Sequence, residues 1–315
     1  MSEIEARFIG SMMGTFVGDA LGRPYEGRDG KSIDINKIEN PLYEGRYTDD
    51  TQMMISIAES LIENKGFEGA DVARKFTENF DPMRGYGSGA VRVIQRLLSG
   101  VSWNHSGSAI FRGGSYGNGA AMRIAPLGLL YHHDKDKLLE VALFSSIITH
   151  THILGKTGAA LQACSVALAL QYGLTGKLNP TEMVDKLKDE LPSDAEIYHE
   201  KLDHIVKFLK STPSQDEVII NLGNGVAAFD SVPTAIYSFL RHIDFKNSVI
   251  FAIGLGGDTD TIGAMSGAIA GAYHGYKCIP ENWLNKLENG YKGRDYVTKL
   301  AKELYNTWVV MNSGF

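Results

Sequence analysis

The sequence predicts an all-α fold, a single-domain orthogonal bundle of roughly fourteen helices over residues 1–315. Apolar residues recur at helical spacing along almost the whole chain, and the alternation typical of strands is nearly absent. Apolar residues make up 43% of the 315 residues, which is enough for a large buried core. No Pro/Ser-rich linker or run of charge divides the chain, and this favours one domain over two.

The helices of the first half follow from apolar periodicity and from stop signals. The first helix ends at Gly22-Arg23-Pro24, and Pro82 and Gly100 mark the ends of two later helices. The long apolar run 154–172 is typical of a central helix buried on all sides. The predicted helices of this half span 4–21, 50–64, 70–80, 89–98, 119–131, 135–148 and 154–172.

The second half continues with shorter amphipathic segments. Ser231 is predicted to be an N-cap, with Pro233 in the first turn of a helix that reaches Arg241. The last apolar helices follow an acidic cluster at 258–261 and the tract at 280–283. The predicted helices of this half span 181–190, 194–209, 215–222, 232–241, 245–254, 259–273 and 294–306.

Two of these helices carry glycine at every fourth position, at Gly10, Gly14, Gly18 and Gly22 and again at Gly263, Gly267, Gly271 and Gly275. This spacing places each set on one helix face, where the missing side chains let another backbone approach closely. Each helical glycine costs about 1 kcal/mol relative to alanine, so close packing must offset that cost. We therefore expect the two helices to pack together and to hold acidic ligands at one end. Glycine-tolerant packing without a functional role explains the spacing equally well.

The net charge and the N-terminal sequence limit the classes of partner that we expect for this protein. The net charge of −6 gives no electrostatic footprint for nucleic acid or an acidic membrane. The two cysteines lie in apolar surroundings, which favours buried thiols over a disulfide. The N-terminus lacks a basic n-region, and the uncharged stretch 157–172 is too short to span a bilayer. We expect a cytoplasmic protein with no nucleic-acid or membrane partner.

Two acidic clusters, Thr48-Asp49-Asp50-Thr51 and Asp258-Thr259-Asp260-Thr261, each combine two carboxylates with two hydroxyls. Hard cations such as Mg²⁺ take oxygen ligands of these kinds. Helix capping explains either cluster alone equally well. However, a cap needs one such side chain and adjacent carboxylates repel each other, so the repetition favours a metal site shared by both clusters.

A glycine-rich tract at residues 113–123 is a candidate phosphate loop. Its four glycines leave backbone N–H groups open to a phosphate, with a helix N-terminus predicted just beyond. It lacks the Gly-Lys-Ser/Thr ending of a Walker loop, and no strand precedes it as in a Rossmann fingerprint. A surface loop without a ligand is the alternative.

In combination, these tracts resemble the ADP-ribosylglycohydrolase family. The resemblance extends from Gly18-Asp19-Ala20-Leu21-Gly22 to Pro280-Glu281-Asn282-Trp283, with both acidic clusters between them. The tracts 114–119 and 232–237 are most similar to the type-3 ADP-ribosylhydrolase branch. That branch is known for serine-linked ADP-ribose, poly(ADP-ribose) and O-acetyl-ADP-ribose, whereas other branches cleave ADP-ribose from arginine.

The resemblance implies a hydrolase that cleaves the glycosidic bond at C1″ of ADP-ribose. Its substrate would be an ADP-ribosylated protein or a small molecule that contains ADP-ribose, and its cofactor two Mg²⁺ ions, with Mn²⁺ as an alternative. The implied metal ligands are Thr48, Asp49, Asp50, Asp258, Asp260 and Thr261, with Asp260 bridging. The implied catalytic residues are Glu26, Asp49 and Asp260. The implied substrate-binding residues are Gly114, Ser115, Tyr116, Gly117, Asn118 and His150, and Phe111 would stack on adenine.

Three alternatives stay open at this stage. The chain could be an arginine-linked hydrolase, or a catalytically silent binder or structural protein on the same fold, although the intact acids argue against silence. The acidic clusters alone would also suit a metal-dependent phosphohydrolase.

Overall fold

The computed structural model describes residues 1–42 and 45–313. These residues form no β-sheet, and their only backbone pairings of strand type are three isolated bridges. The predicted all-α fold is therefore confirmed. The described residues contain sixteen α-helices: α1 Glu3–Gly22, α2 Ile35–Glu39, α3 Asp49–Asn64, α4 Gly69–Glu78, α5 Ser88–Leu98, α6 Ala125–Leu130, α7 Lys135–Ile147, α8 Ile153–Thr175, α9 Pro180–Asp189, α10 Glu196–Leu209, α11 Gln215–Leu222, α12 Ala228–His242, α13 Phe245–Gly254, α14 Thr259–His274, α15 Glu281–Leu284 and α16 Arg294–Asn312.

Relative to the sequence-based expectation, the structure adds two short helices and divides one predicted helix. The short helices α2 and α15 have five and four residues, too few to produce a periodic pattern. The helix expected over 119–131 is instead a 3₁₀ turn, Asn118–Ala120, followed by α6. Pro126 explains the break, because it stands in the first turn of α6 but would lack a backbone donor inside a longer helix. The single-domain boundary 1–315 stays a prediction, since residues 43–44 and 314–315 lie outside the described ranges.

The predicted cap at Ser231 was wrong. Helix α12 begins at Ala228, with Ala227 in the N-cap position, and Pro233 lies inside the helix. The Ser231 hydroxyl donates to the Ala227 carbonyl at 3.0 Å, four residues back along the chain. A serine hydroxyl has this second way of pairing inside a helix, so a serine before a helical pattern does not by itself mark an N-cap.

Helices α1 and α14 pack face to face along their glycines, as the spacing predicted. A Cβ atom on Gly18 would lie 2.0 Å from the carbonyl oxygen of Gly263, and one on Gly14 would lie 2.1 Å from that of Gly267. Neither helix has room for a methyl group at this contact. The C-terminal end of α1 thereby lies beside the N-terminal end of α14, where the Thr259 hydroxyl donates to the Gly22 carbonyl at 2.8 Å.

Helix α8 is the predicted central helix. Among the described residues, it is the one helix that is long and apolar enough, by length and composition, to cross a membrane. It has 23 residues and so exceeds the uncharged stretch 157–172, which alone is too short for a bilayer. In the structure, 78% of its most apolar window is buried inside the protein. The Gln162 amide in its middle donates to the Met265 carbonyl of α14 at 3.0 Å. Helix α8 therefore packs as a core helix beneath the glycine-faced pair.

Candidate functional site

The two acidic clusters meet at Asp50. Thr48 is the N-cap of α3, and its hydroxyl donates to Oδ2 of Asp50 at 3.2 Å. From the other cluster, the Thr261 hydroxyl donates to the same oxygen at 3.5 Å. Asp258 is the N-cap residue of α14, so each cluster stands at a helix N-terminus, where the macrodipole favours negative charge. The fold thus brings together carboxylates that are more than 200 residues apart in sequence.

Asp19 holds the start of α3 in place, a role that the sequence analysis missed. Its side chain is fully buried in the last turns of α1. It accepts hydrogen bonds from the Thr48 backbone N–H at 3.0 Å, from the Thr51 N–H at 3.1 Å and from the Thr51 hydroxyl at 2.5 Å. The available signal was an aspartate among the apolar and small residues of the glycine-faced C-terminal half of α1. Asp19 connects the close packing of α1 to the position of the first acidic cluster.

Replacing Asp19 by Ala is expected to destabilise the protein. The change leaves three buried donors unpaired, and each costs about 1–3 kcal/mol. Urea unfolding should show a loss of at least about 3 kcal/mol in the free energy of unfolding. The matched control is Asp185→Ala on the exposed side of α9, which should change that free energy by less than about 0.5 kcal/mol. Equal stabilities for the two variants would contradict the role of Asp19.

Glu26 reaches the acids through a backbone pairing of its loop. The Gly27 N–H donates to the Gly257 carbonyl at 2.8 Å, and the Gly257 N–H donates to the Arg28 carbonyl at 2.9 Å. Gly257 has φ +74°, a left-handed conformation that favours glycine in the turn before α14. This pairing places carboxylate oxygens of Glu26, Asp258 and Asp260 within 4.8 Å of one another. Glu26 is the solvent-exposed member of the three, and the two aspartates are buried.

Asn118 connects the glycine-rich loop to the acids. Its side-chain amide donates to Oδ2 of Asp258 at 2.5 Å and to the Ser231 hydroxyl at 3.2 Å. The Asp258 backbone N–H donates to the Asn224 carbonyl at 2.8 Å. Asp258 is therefore held from the main chain and from the side chain. The phosphate-loop candidate and the metal-site candidate share one hydrogen-bond network.

The electrostatics of the cluster fit a bound cation. Burial, together with the charge of Asp19, raises the pKa of Asp49 to about 7 and that of Asp50 well above its usual range. Burial and the neighbouring Asp258 likewise raise the pKa of Asp260. One carboxylate oxygen of Asp50, Oδ1, is buried and has no hydrogen-bond partner among the described residues. Carboxylates that repel one another, with an unpaired buried oxygen among them, are a suitable donor set for hard divalent cations.

The cluster forms one wall of a cavity of about 340 Å³. That volume lies within the range of small-molecule sites. Ser115, Gly117 and Asn118 of the glycine-rich loop line the cavity beside His150, and Phe111 lines it near the N-terminus of α5. The lining also includes residues of the segment 85–90, which the sequence analysis did not select. Three glycines within the five residues 85–89 were the signal that could have found it.

Two of the predicted substrate-binding residues lie outside this lining. The Tyr116 side chain is half exposed, and its ring packs against His152 and Phe229 at centroid distances of 5.7 and 5.9 Å. Gly114 lies against Thr151, whose hydroxyl oxygen would be 2.3 Å from an added Cβ. Their roles stay predictions. Phe111 lines the cavity, with its ring 2.8 Å from where a Cβ on Gly89 would stand, and its stacking on adenine also stays a prediction.

Comparison with known proteins identifies the family of the chain. The family profile described as ADP-ribosylglycohydrolase matches residues 1–313. The chain belongs to the ADP-ribosylglycohydrolase family. It is 40% identical to ADP-ribosylhydrolase ARH3 of Xenopus tropicalis, over 95% of this chain and 96% of that protein. It is 36% identical to ADP-ribosylhydrolase ARH3 of Homo sapiens, over 96% of this chain and 94% of that protein.

The fold also matches a solved structure described as an ADP-ribosylglycohydrolase-related protein complex. The TM-score is 0.76 at 26% sequence identity, over 98% of this chain and 99% of the other. The resemblance drawn from the motifs is confirmed, and this ADP-ribosylglycohydrolase family member is a hydrolase.

Proposed function

We propose that this hydrolase cleaves the glycosidic bond at C1″ of ADP-ribose, with serine-linked ADP-ribosyl proteins, poly(ADP-ribose) or O-acetyl-ADP-ribose as substrates. The main observation in support of this proposal is the hydrogen bond of 2.5 Å from the Asn118 amide to Asp258, which joins a glycine-rich loop to an acidic cluster in one cavity. The loop suits a diphosphate, and the cluster suits the ribose beside it. Relatives named ADP-ribosylhydrolase ARH3 support the same substrate class.

The proposed cofactor is a pair of Mg²⁺ ions, with Mn²⁺ as the alternative. The residues that would hold them are Thr48, Asp49, Asp50, Asp258, Asp260 and Thr261. When bound, such ions polarise substrate oxygens and lower the pKa of a coordinated water.

Glu26 is the proposed proton carrier. In the reaction, the bond between C1″ and the leaving oxygen breaks through an oxocarbenium-like state, water bonds to C1″ and one proton reaches the leaving oxygen. Among the three clustered acids, only Glu26 is exposed, so it can exchange protons with solvent. It stands on the loop after α1, which two backbone hydrogen bonds hold to the Gly257 turn beside the buried aspartates. Asp49 and Asp260 remain the other proposed catalytic acids.

The remaining proposed contacts hold the ligand. Within the tract 114–118, the Gly114 and Asn118 N–H groups donate to the Phe111 and Val226 carbonyls and the Gly117 N–H to the Ser115 hydroxyl, so the Ser115 and Tyr116 N–H groups would bind the diphosphate. The Ser115 and Tyr116 side chains and His150 would lie beside it. Phe111 would stack on adenine, since its ring lines the cavity and is half exposed.

Replacing Glu26 by Gln is expected to lower turnover by about 100-fold or more, because general acid–base catalysis contributes on that scale. Binding of ADP-ribose should stay measurable by calorimetry, since the amide keeps the shape of the side chain. The matched control is Asp29→Asn, an exposed acid on the same loop, which should hydrolyse at a near-normal rate. Near-normal turnover of the Glu26 variant would refute its role as proton carrier.

A substrate panel tests the proposal as a whole. The protein is incubated with serine-linked, arginine-linked and acetyl-linked ADP-ribose, with and without EDTA, and products are separated by chromatography. We expect ADP-ribose to be released from the serine-linked and acetyl-linked substrates, and EDTA to abolish this release. Release of AMP would indicate a phosphohydrolase. Release of ADP-ribose from the arginine-linked substrate alone would indicate the arginine-specific branch, and no release of either product would indicate a silent binder. A cytoplasmic location and the absence of nucleic-acid and membrane partners are further proposals.

A further inference from the structure

A buried threonine hydroxyl lies between an arginine and the cavity histidine. The Arg123 guanidinium donates to Oγ1 of Thr149 at 2.8 Å, and the same oxygen lies 2.7 Å from Nδ1 of His150. All three residues belong to the cavity wall; Arg123 and Thr149 are buried in it, at 0% and 4% exposure, and His150 is 9% exposed. Their side chains form a hydrogen-bonded series from Arg123 through Thr149 to His150.

The direction of these hydrogen bonds follows from the chemistry of the donors. A guanidinium has only donors, so the Thr149 oxygen must accept from Arg123. The one hydroxyl proton of Thr149 then has Nδ1 of His150 as its hydrogen-bond acceptor among the described residues. A buried hydroxyl proton without an acceptor would be costly, and bonds that point in one direction strengthen one another. Nδ1 of His150 is therefore the acceptor.

The ring must then carry its proton on the other nitrogen. Burial and the positive charge of Arg123 lower the pKa of His150 to about 3, so the imidazole is neutral at ordinary pH. A neutral ring that accepts at Nδ1 has its proton on Nε2. Nε2 lies beside the glycine-rich loop, 3.3 Å from where a Cβ on Gly117 would stand and 3.2 Å from one on Gly119. Within the described ranges, Nε2 has no hydrogen-bond partner from the protein.

Arg123 is poorly explained by packing alone. Among the described residues no carboxylate pairs with it, and its other bonds go to the Ser145 carbonyl at 3.2 Å and the Met53 sulfur at 3.6 Å. Its Nε is buried without a partner, and its guanidinium lies 4.5 Å from the Phe76 ring centroid. Burial lowers its pKa to about 9, which leaves it charged near neutral pH. The charge of Asp49 acts on Arg123 without an ion pair between them. A buried cation without an ion-paired carboxylate is costly, and the hydrogen bond to Thr149 gives this one a role toward His150.

We propose that Arg123 and Thr149 are positioning residues that hold His150 as a neutral hydrogen-bond donor, with Nε2–H directed to an oxygen of the ligand in the cavity. The identity of that oxygen, on the diphosphate or the distal ribose, rests on the proposed function. In this orientation His150 binds the ligand and does not transfer its proton. Proton transfer is therefore the role of Glu26.

The test compares Thr149→Val, which removes the hydroxyl at nearly constant shape, with Thr149→Ser, which keeps it. In protein labelled with ¹⁵N-histidine, wild type and the serine variant should show His150 with an unprotonated Nδ1 and a protonated Nε2. The valine variant should show a mixture of both tautomers or the reverse one. An Nδ1–H signal in wild type, or an unchanged pattern in the valine variant, overturns the proposal. Thr149→Ala removes the same hydroxyl and replaces valine if that variant fails to fold.

Binding of ADP-ribose supplies the second readout. We expect the valine variant to bind about fivefold more weakly than wild type, the loss of roughly one neutral hydrogen bond, and the serine variant to bind normally. Equal affinities for all three would show that the tautomer does not serve the ligand and would overturn the proposal. The NMR experiment uses the protein without substrate. If ADP-ribosyl substrates are not hydrolysed but the tautomer and affinity results hold, the proposed reaction fails while this inference stands.

Discussion

Replacing Asp260 by Asn is expected to abolish metal binding and hydrolysis together. Asp260 is the buried acid whose oxygens lie with those of Glu26 and Asp258 within 4.8 Å, so the substitution removes one charge and one ligand oxygen at the centre of the cluster. Turnover should fall by roughly 10³-fold, the scale of losing one preorganised electrostatic group. Calorimetric titration of the variant with MgCl₂ should give no measurable heat of binding. An unchanged Mg²⁺ affinity would refute the assignment of Asp260.

Stability measurements separate this effect from misfolding. Without metal, the clustered carboxylates repel one another, and removing one charge should raise the melting temperature of the apoprotein. Wild type should gain stability as Mg²⁺ is added, because a ligand that binds only the folded state stabilises it, and the variant should not. Asp185→Asn, the same substitution on the exposed side of α9, should keep both the Mg²⁺ response and the activity. A lower melting temperature of the Asp260 variant would indicate damage to the fold.

The sequence predicted the parts of the site that lie in short, dense tracts. The two acidic clusters and the glycine-rich loop were visible because each concentrates one kind of chemistry in a few residues. The glycine spacing of α1 and α14 also gave their close packing, since four-residue spacing defines one helix face. The resemblance to a family then supplied Glu26 and His150, which no local pattern distinguishes from an ordinary surface acid and an ordinary buried histidine.

Local sequence patterns could not predict contacts between residues that are distant in the sequence. Asp19 pairs with Thr48 and Thr51 because α1 packs beside the start of α3. Arg123, in the turn before α6, reaches Thr149, in the turn after α7, only in the folded chain. The break before α6 depends on Pro126, which outweighed an otherwise continuous helical pattern. In each case tertiary packing or one residue decided the outcome, and periodicity within a window does not contain that information.

Replacing Gly18 by Ala is expected to destabilise the protein by at least about 3 kcal/mol, at the upper end of the cost of overpacking. The new Cβ would lie 2.0 Å from the Gly263 carbonyl oxygen, and a backbone atom can yield only if α1 and α14 separate. Urea unfolding measures the loss. The matched control is Gly290→Ala, since the described residues leave open space around its Cβ; its stability should change by less than about 0.5 kcal/mol.

A second glycine in the same contact decides whether this packing serves the site. Gly14→Ala meets the Gly267 carbonyl oxygen at 2.1 Å, so its loss of stability should match that of Gly18→Ala. Gly18 lies one turn from Gly22, whose carbonyl accepts from Thr259 at the start of α14, and Gly14 lies two turns away. If the glycine faces position the acids, Mg²⁺ affinity measured on the folded variants should fall more for Gly18→Ala than for Gly14→Ala. Equal Mg²⁺ affinities of the two variants would show that these glycines serve helix packing and do not position the acids.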